Sequence, residues 1–231
     1  MILRRITQHV KDQNWFAVGL DFLIVVTGIL IAFQITNWSE ARSDRVREQK
    51  IIERLHSDFV VLDQWQKERV EHMESLVDEV AVIVKIIINE PKDSDLARIQ
   101  KFFKEFTGFP PTSGQSDTYE QLVSSGDMNL ISNEQLRSEL VQHASFTQAF
   151  IDQDRAIREW QRPYIMPFIR FRSLIDEMPL DEAYAQAGSK ADLIVAVDMY
   201  QSVFEGQLAQ HKEHKESFTK ITEMLAAEKS K

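Results

Sequence analysis

No cysteine occurs in the 231 residues, and glycine (7) and proline (6) are scarce. Without cysteine there is no disulfide framework, no thiolate zinc site, no iron–sulfur cluster and no cysteine nucleophile. The shortage of glycine and proline argues against a loop-rich β-sandwich. Basic residues are outnumbered, 27 Lys+Arg against 36 Asp+Glu, for a formal net charge of −9. A nucleic-acid binder needs a basic face, so no nucleic-acid partner is expected. Catalytic motifs are missing too: there is no Gly-rich phosphate loop, no Gly-x-Ser-x-Gly elbow and no His-Glu-x-x-His. The expectation is a non-enzyme with no cofactor, no catalytic residue and no metal. Apolar residues make up 43% of the chain, too many for a disordered protein.

One long apolar run is present. Trp15 to Trp38 reads WFAVGLDFLIVVTGILIAFQITNW, 24 residues. As a helix it spans roughly 36 Å, enough for a hydrocarbon core of about 30 Å. Trp15 and Trp38 stand at its ends, where amphipathic rings favour the lipid–water boundary. A cleaved signal peptide would end in small residues, but Gln34-Ile35-Thr36-Asn37 continues a helix instead. This predicts a retained transmembrane helix over 15–38, with a tail over 1–14 and a helical bundle over 39–231.

Asp21 is the anomaly of that run, because a carboxylate within a membrane helix is costly. At about 100° per residue it falls within about 40° of Gly28 and Ala32. Gly28-Ile-Leu-Ile-Ala32, continued by Thr36, is a small-xxx-small pattern that lets two helices approach closely. Asp21, Gly28, Ala32 and Thr36 are therefore the candidate association face. Membrane lipid and a protein partner or second copy are the expected partners. Arg4, Arg5 and Lys11 precede the run, whereas Arg42, Arg45, Arg47, Lys50 and Arg54 follow it, so a Lys/Arg count favours the C-terminal side in the cytoplasm.

Beyond Trp38 no proline or glycine occurs before Asn89. Ile52, Leu55, Phe59, Leu62, Met73, Leu76, Val80, Ile83 and Ile87 follow steps of 3 and 4, and the two positions between the apolar halves are Gln66 and Arg69. This is either one rod or two helices hinged near Gln66. The stripe reads as the buried face of a bundle, with Ile51, Val60, Val77 and Val84 beside it. Glu90-Pro91 ends it, and Asp93 or Ser94 caps the next helix. The stretch 107–116 is a breaker-rich loop. Asp117 and Ser132 read as later helix caps, with Ile131 as a staple. Pro163 and Pro167 end or kink the helix that carries Leu136, Leu140, Phe146, Phe150, Ile157 and Trp160. Ile165, Met166, Phe168, Ile169, Phe171 and Leu174 then form an apolar group, with Arg162, Arg170 and Arg172 on its wet side. The last helix runs from about Lys190 to Glu228. The fold class is all-α: one transmembrane helix continuing into a long helix that packs in an antiparallel bundle.

Two histidines at i, i+3, His211 and His214, lie in a His-Lys-Glu-His-Lys-Glu run that reads as a solvated face, and two ligands do not make a zinc site. Glu53-Arg-Leu-His56 is one Glu-x-x-His where a di-iron bundle needs two.

The anchor and its exit, Leu23-Ile-Val-Val-Thr-Gly-Ile-Leu-Ile-Ala-Phe-Gln-Ile-Thr-Asn-Trp-Ser-Glu-Ala-Arg42, resemble the signature of an uncharacterised bacterial family of small single-pass membrane proteins. That family shows Gly-Ile-Leu-Ile-Ala-Leu-Gln-Ile-Asn-Asn-Trp at this place; here Phe33 replaces Leu and Thr36 replaces Asn. Tyr119 to Arg137 resembles its second recurring segment. The resemblance implies the bacterial inner membrane and, from the family's basic N-tails, a periplasmic bundle. It implies no activity. The expected role is a non-enzymatic scaffold, adaptor or sensor. The alternatives are a subunit of an ion-driven membrane complex using Asp21, and a ligand-sensing bundle without its own output domain.

Overall fold

The structure, a computed structural model, describes residues 15–89, 92–105, 114–163, 166–175, 177–187 and 189–230. Among them the architecture is all-α, with no strand. The helices are α1 (Trp15–Ile88), α2 (Asp93–Glu105), α3 (Asp117–Ser125), α4 (Glu134–Gln161), α5 (Met166–Leu174), α6 (Leu180–Ala187) and α7 (Lys190–Lys229), with a 3-10 turn at Asp127–Leu130. The tail with Arg4, Arg5 and Lys11, Pro91 and the loop residues 106–113 lie outside the described residues. Two compact parts meet within α1, at Lys50 and Ile51.

In the first part the stretch of α1 from Phe22 to Trp38 is apolar and almost entirely exposed. Phe22, Leu23, Ile24, Val25, Ile29, Leu30, Ile31, Phe33 and Ile35 are all exposed. This stretch is long and apolar enough to cross a membrane, and none of it is buried.

In the second part α1 passes Gln66 without a break, so this stretch is one helix rather than two. Its 3,4-spaced stripe is the buried face: Ile52, Leu55, Phe59, Met73, Val80, Ile83 and Ile87 have almost no accessible surface. Two apolar clusters share α1 and α7. One joins Ile52, Leu55 and Phe59 to Leu122 of α3, Leu136 and Leu140 of α4, and Phe218, Ile221 and Leu225 of α7. The other joins Met73 to Ile87 of α1 with Phe102 and Phe103 of α2, Phe171 of α5, Ala183 of α6 and Leu193 to Phe204 of α7. α1 rises through them as α7 descends, so the two helices are antiparallel. Each fully buried phenylalanine contributes about 1.5–3 kcal/mol of transfer free energy. Val60 is exposed and lies off the stripe; in the apolar group after Pro163, Phe171 is fully buried, whereas Met166 and Ile169 are exposed.

The helix ends have local causes. Ser116, not Asp117, caps α3, its hydroxyl accepting from the Tyr119 amide at 3.2 Å. Asn133, one residue after the expected Ser132, caps α4 by accepting from the Leu136 amide at 3.0 Å. In both cases the residue in extended backbone just before the first helical turn has the side-chain oxygen placed for the orphan N–H groups. α3 stops at Gly126, whose φ of 77° lies in the left-handed region that glycine enters without strain. α4 stops at Gln161, two residues before Pro163.

Candidate functional site

Between the two apolar clusters the buried face turns polar on three helices at once. On α7 the inward positions run Tyr200, Phe204, Gln207, His211, His214, Phe218, Ile221 and Leu225, all buried. On α4 they run Leu136, Leu140, His143, Thr147 and Phe150, and on α1 Phe59, Asp63, Gln66, Val70 and Met73. His211 and His214 are 2% and 0% exposed. The His-Lys-Glu-His-Lys-Glu run is therefore not a solvated face: its lysines and glutamates face outward and its histidines inward.

The layer is wired by hydrogen bonds across helices. The Gln66 amide nitrogen lies 3.0 Å from His211 Nδ1 and donates to the His211 carbonyl at 2.8 Å. A carbonyl oxygen only accepts, so the atom facing it is the amide NH2, and Nδ1, which faces the same NH2, must accept as well. His211 thus carries its proton on Nε2. Thr147 Oγ1 donates to the His143 carbonyl at 2.9 Å and lies 2.8 Å from His214 Nε2. With its one proton committed to the carbonyl, Thr147 accepts from His214 Nε2–H, and His214 Nδ1 is left as a bare acceptor. Nδ1 has no hydrogen-bond partner among the described residues. His143 Nδ1 pairs with Ser217 Oγ at 2.9 Å.

Aromatic rings seal the layer. His143 stacks on His214 at 5.1 Å between centroids, and Phe218 meets them at 4.4 and 4.6 Å. Phe150 lies 4.7 Å from His211. Removal from water disfavours the charged imidazole. Burial pushes His143 down to about 4. Burial, aided by the Arg69 charge and opposed by Asp154, pushes His211 down to about 4. Burial, with the other two rings and Arg69, pushes His214 down to about 3. All three are neutral at pH 7. Arg69 itself is held below its ordinary value by burial, with Asp154 opposing. Asp154 receives Gln207 at 2.8 Å and Arg158 at 2.9 Å. Asp63 receives Thr219 at 2.8 Å and Lys67 at 2.6 Å.

A cleft of about 210 Å³ opens beside this layer, lined by Glu139, Gln142, His143, Phe146, Glu213 and Ser217. Its Ser217–His143 contact has the outline of a nucleophile and base. The base is weakened by burial, and both groups sit within helices, whose backbone N–H groups are already bonded to carbonyls one turn back. Among the described residues no group of three His, Asp or Glu side chains is placed to hold a metal ion. Glu53 and His56 stand apart from the layer.

The residues singled out in the anchor are placed differently. Gly28, Ala32, Thr36 and Trp38 are exposed on α1. A Cβ on Gly28 would meet nothing within 4 Å. The Thr36 hydroxyl donates to the Ala32 carbonyl at 3.0 Å, so it is satisfied within its own helix. Arg42 lies over the Trp38 ring at 5.8 Å. Asp21 and Trp15 fall within α1, but their side chains lie outside the described residues. The histidine layer was missed from sequence, although a signal existed: the 3,4 spacing of the α7 stripe passes through Gln207, His211 and His214 without a break.

The chain matches the family of unknown function DUF6090 over residues 21–146, more than half of its length, and belongs to that family. The match opens at Asp21 and closes at Phe146, so it takes in the α1 and His143 contributions to the layer, while His211 and His214 lie beyond it. Neither the curated proteins nor the solved structures return a match.

Proposed function

We propose that this DUF6090 member is a single-pass protein of the bacterial inner membrane, anchored by residues 15–38, whose helical bundle works without catalysis as a scaffold or adaptor. The observation that carries the reading is the uncovered apolar surface of α1 from Phe22 to Trp38. Leaving large apolar side chains in water costs about 1.5–3 kcal/mol each relative to burial. Lipid removes that cost along the whole circumference of a helix, which suits a stretch exposed on every side. The flanks agree: Trp38 stands at the boundary, and charged residues follow it. A scaffold rather than an enzyme is supported by the chemistry of the cleft at the histidine layer, where the base is weak and the neighbouring backbone N–H groups are committed to helix bonds. The periplasmic side is the proposed location of the bundle, by the resemblance of the anchor.

Two measurements test this. Carbonate washing of membranes should leave the chain in the pellet; release into the supernatant would reject the anchor. A Ser230→Cys variant then supplies the chain's only thiol, at an exposed position. Labelling of intact cells by an impermeant maleimide is expected; labelling only after permeabilisation would place the bundle in the cytoplasm.

A further inference from the structure

We infer that the mid-bundle layer of His143, His211 and His214 is an acid-sensitive latch: a second proton on His211 breaks the Gln66 contact and parts α1 from α7 locally, while the apolar clusters on either side stay packed. This goes beyond the scaffold reading and does not depend on the anchor.

The geometry carries it. Gln66 turns both of its N–H bonds onto His211, one to the ring and one to the backbone carbonyl. That clamp accepts only a neutral ring, because a proton on Nδ1 would face another donor. Turning the Gln66 amide over does not help, since its oxygen would then face the His211 carbonyl. The same layer holds two more buried rings, stacked at 5.1 Å from each other, where a second charge would meet a first. It sits between two apolar clusters, so the polar network is the weak link of the bundle when charged.

The charged groups around the rings do not relieve this. α1 presents Arg69, a half-buried cation that opposes protonation, and Asp63, already occupied by Lys67 and Thr219. α4 presents Asp154, a carboxylate that favours a charged His211 and is already occupied by Arg158 and Gln207. α4 also presents Glu139, paired with Lys220, and α7 presents Glu213, both lining the cleft beside His143. Ser217, His143, Thr147 and His214 lead from that cleft into the layer, each in contact with the next.

The direction follows from linkage. The folded-state values lie below the ordinary histidine value of 6.5, at about 4 for His143 and His211 and about 3 for His214. Stability is therefore full above about 6.5 and is lost as pH falls toward the folded values, because the opened state binds protons that the closed state refuses. Each histidine raises the opening equilibrium by up to about tenfold per pH unit in that window.

The test is amide exchange on the full chain in detergent micelles, at about pH 7.5 and about pH 5, corrected for intrinsic exchange, on either side of the ordinary histidine value. Amides of α7 over 207–214 and of α1 over 63–70 should open at least about tenfold more at the acid value, while Ile52–Phe59, Ile221–Leu225 and the Phe103–Phe204 cluster keep their protection. An equal rise in all regions, or no rise in the layer, overturns the latch. In a His211→Gln variant the acid-driven rise should shrink by about tenfold; an unchanged rise overturns it. Should that variant not fold, the His211 ring resonance in the unaltered chain decides: a midpoint near 6.5 with the bundle still folded overturns the proposal.

Discussion

Phe218 and His214 stand one turn apart on α7, and both rings have no accessible surface. They touch each other at 4.6 Å and lie in the same inward stripe. Phe218 belongs to an apolar cluster whose cohesion does not involve a proton. His214 belongs to a layer whose hydrogen bonds presume a particular protonation state. The same 3,4 geometry thus builds two kinds of interior on the same helices, one indifferent to pH and one governed by it. Burial alone does not separate them; the identity of the buried atoms does.

The largest effect should come from the apolar side of this comparison. Phe218→Ala removes a ring that packs on Phe59 at 5.9 Å, on His143 at 4.4 Å and on His214. A loss of about 3–5 kcal/mol is expected in chemical denaturation of the full chain. The loss should be somewhat smaller at about pH 6 than at about pH 7.5, since removing Phe218 lets water reach the His143 and His214 rings and eases their protonation in the folded bundle. A loss that depended steeply on pH would mean that the cluster and the layer are not separable.

Next comes Gln66→Met, close in volume but without donors. It leaves His211 Nδ1 unsatisfied, while the His211 carbonyl keeps its place in the helix. The expected cost is about 1–3 kcal/mol at neutral pH. Unchanged stability would show that the clamp adds nothing to the closed bundle. Asn133→Ala should cost less, about 1 kcal/mol, through loss of the bond from the Leu136 amide. The Asn133 side chain also donates to Glu228 near the end of α7, so amide exchange in the first turn of α4 and the last turn of α7 should rise together. A rise confined to α4 would remove that second contact from the account.

Much of this fold was legible in the residues. Stripe spacing located the buried face of α1, and the polar step at Gln66 and Arg69 marked where its apolar halves separate. Prolines and glycines marked the ends of α3 and α4. Caps were misplaced by one residue, because Ser116 and Asp117, or Ser132 and Asn133, offer equal chemistry and only the backbone conformation chooses between them. The histidine layer was harder for a different reason. Lys212, Glu213, Lys215 and Glu216 dominate the local composition, so the run has the charge of a solvated face and the period of a buried one. Only a stripe traced from Phe204 to Phe218 puts His211 and His214 inside. Which helix supplied their partners was not legible at all, since Gln66 and His211 are 145 residues apart.

The smallest effect at neutral pH is the sharpest test of the comparison. His214→Leu deletes the ring whose Nδ1 is buried without a hydrogen-bond partner among the described residues. Thr147 keeps its bond to the His143 carbonyl, so no donor is orphaned. Removing an unsatisfied polar atom offsets the lost ring contacts, and stability at about pH 7.5 should change by no more than about 0.5 kcal/mol. Acid should then separate the two proteins. The His214 ring resists protonation down to about 3 when folded, against 6.5 ordinarily, so the original chain loses stability through this group as pH falls. Leucine takes no proton in either state. By about pH 5 the variant should be the more stable by about 2 kcal/mol, read as a crossing of the two denaturation midpoints below about 6.5. Parallel midpoints across that range would show that His214 is charged or solvated in the folded bundle, and that the layer is no different in kind from the surface.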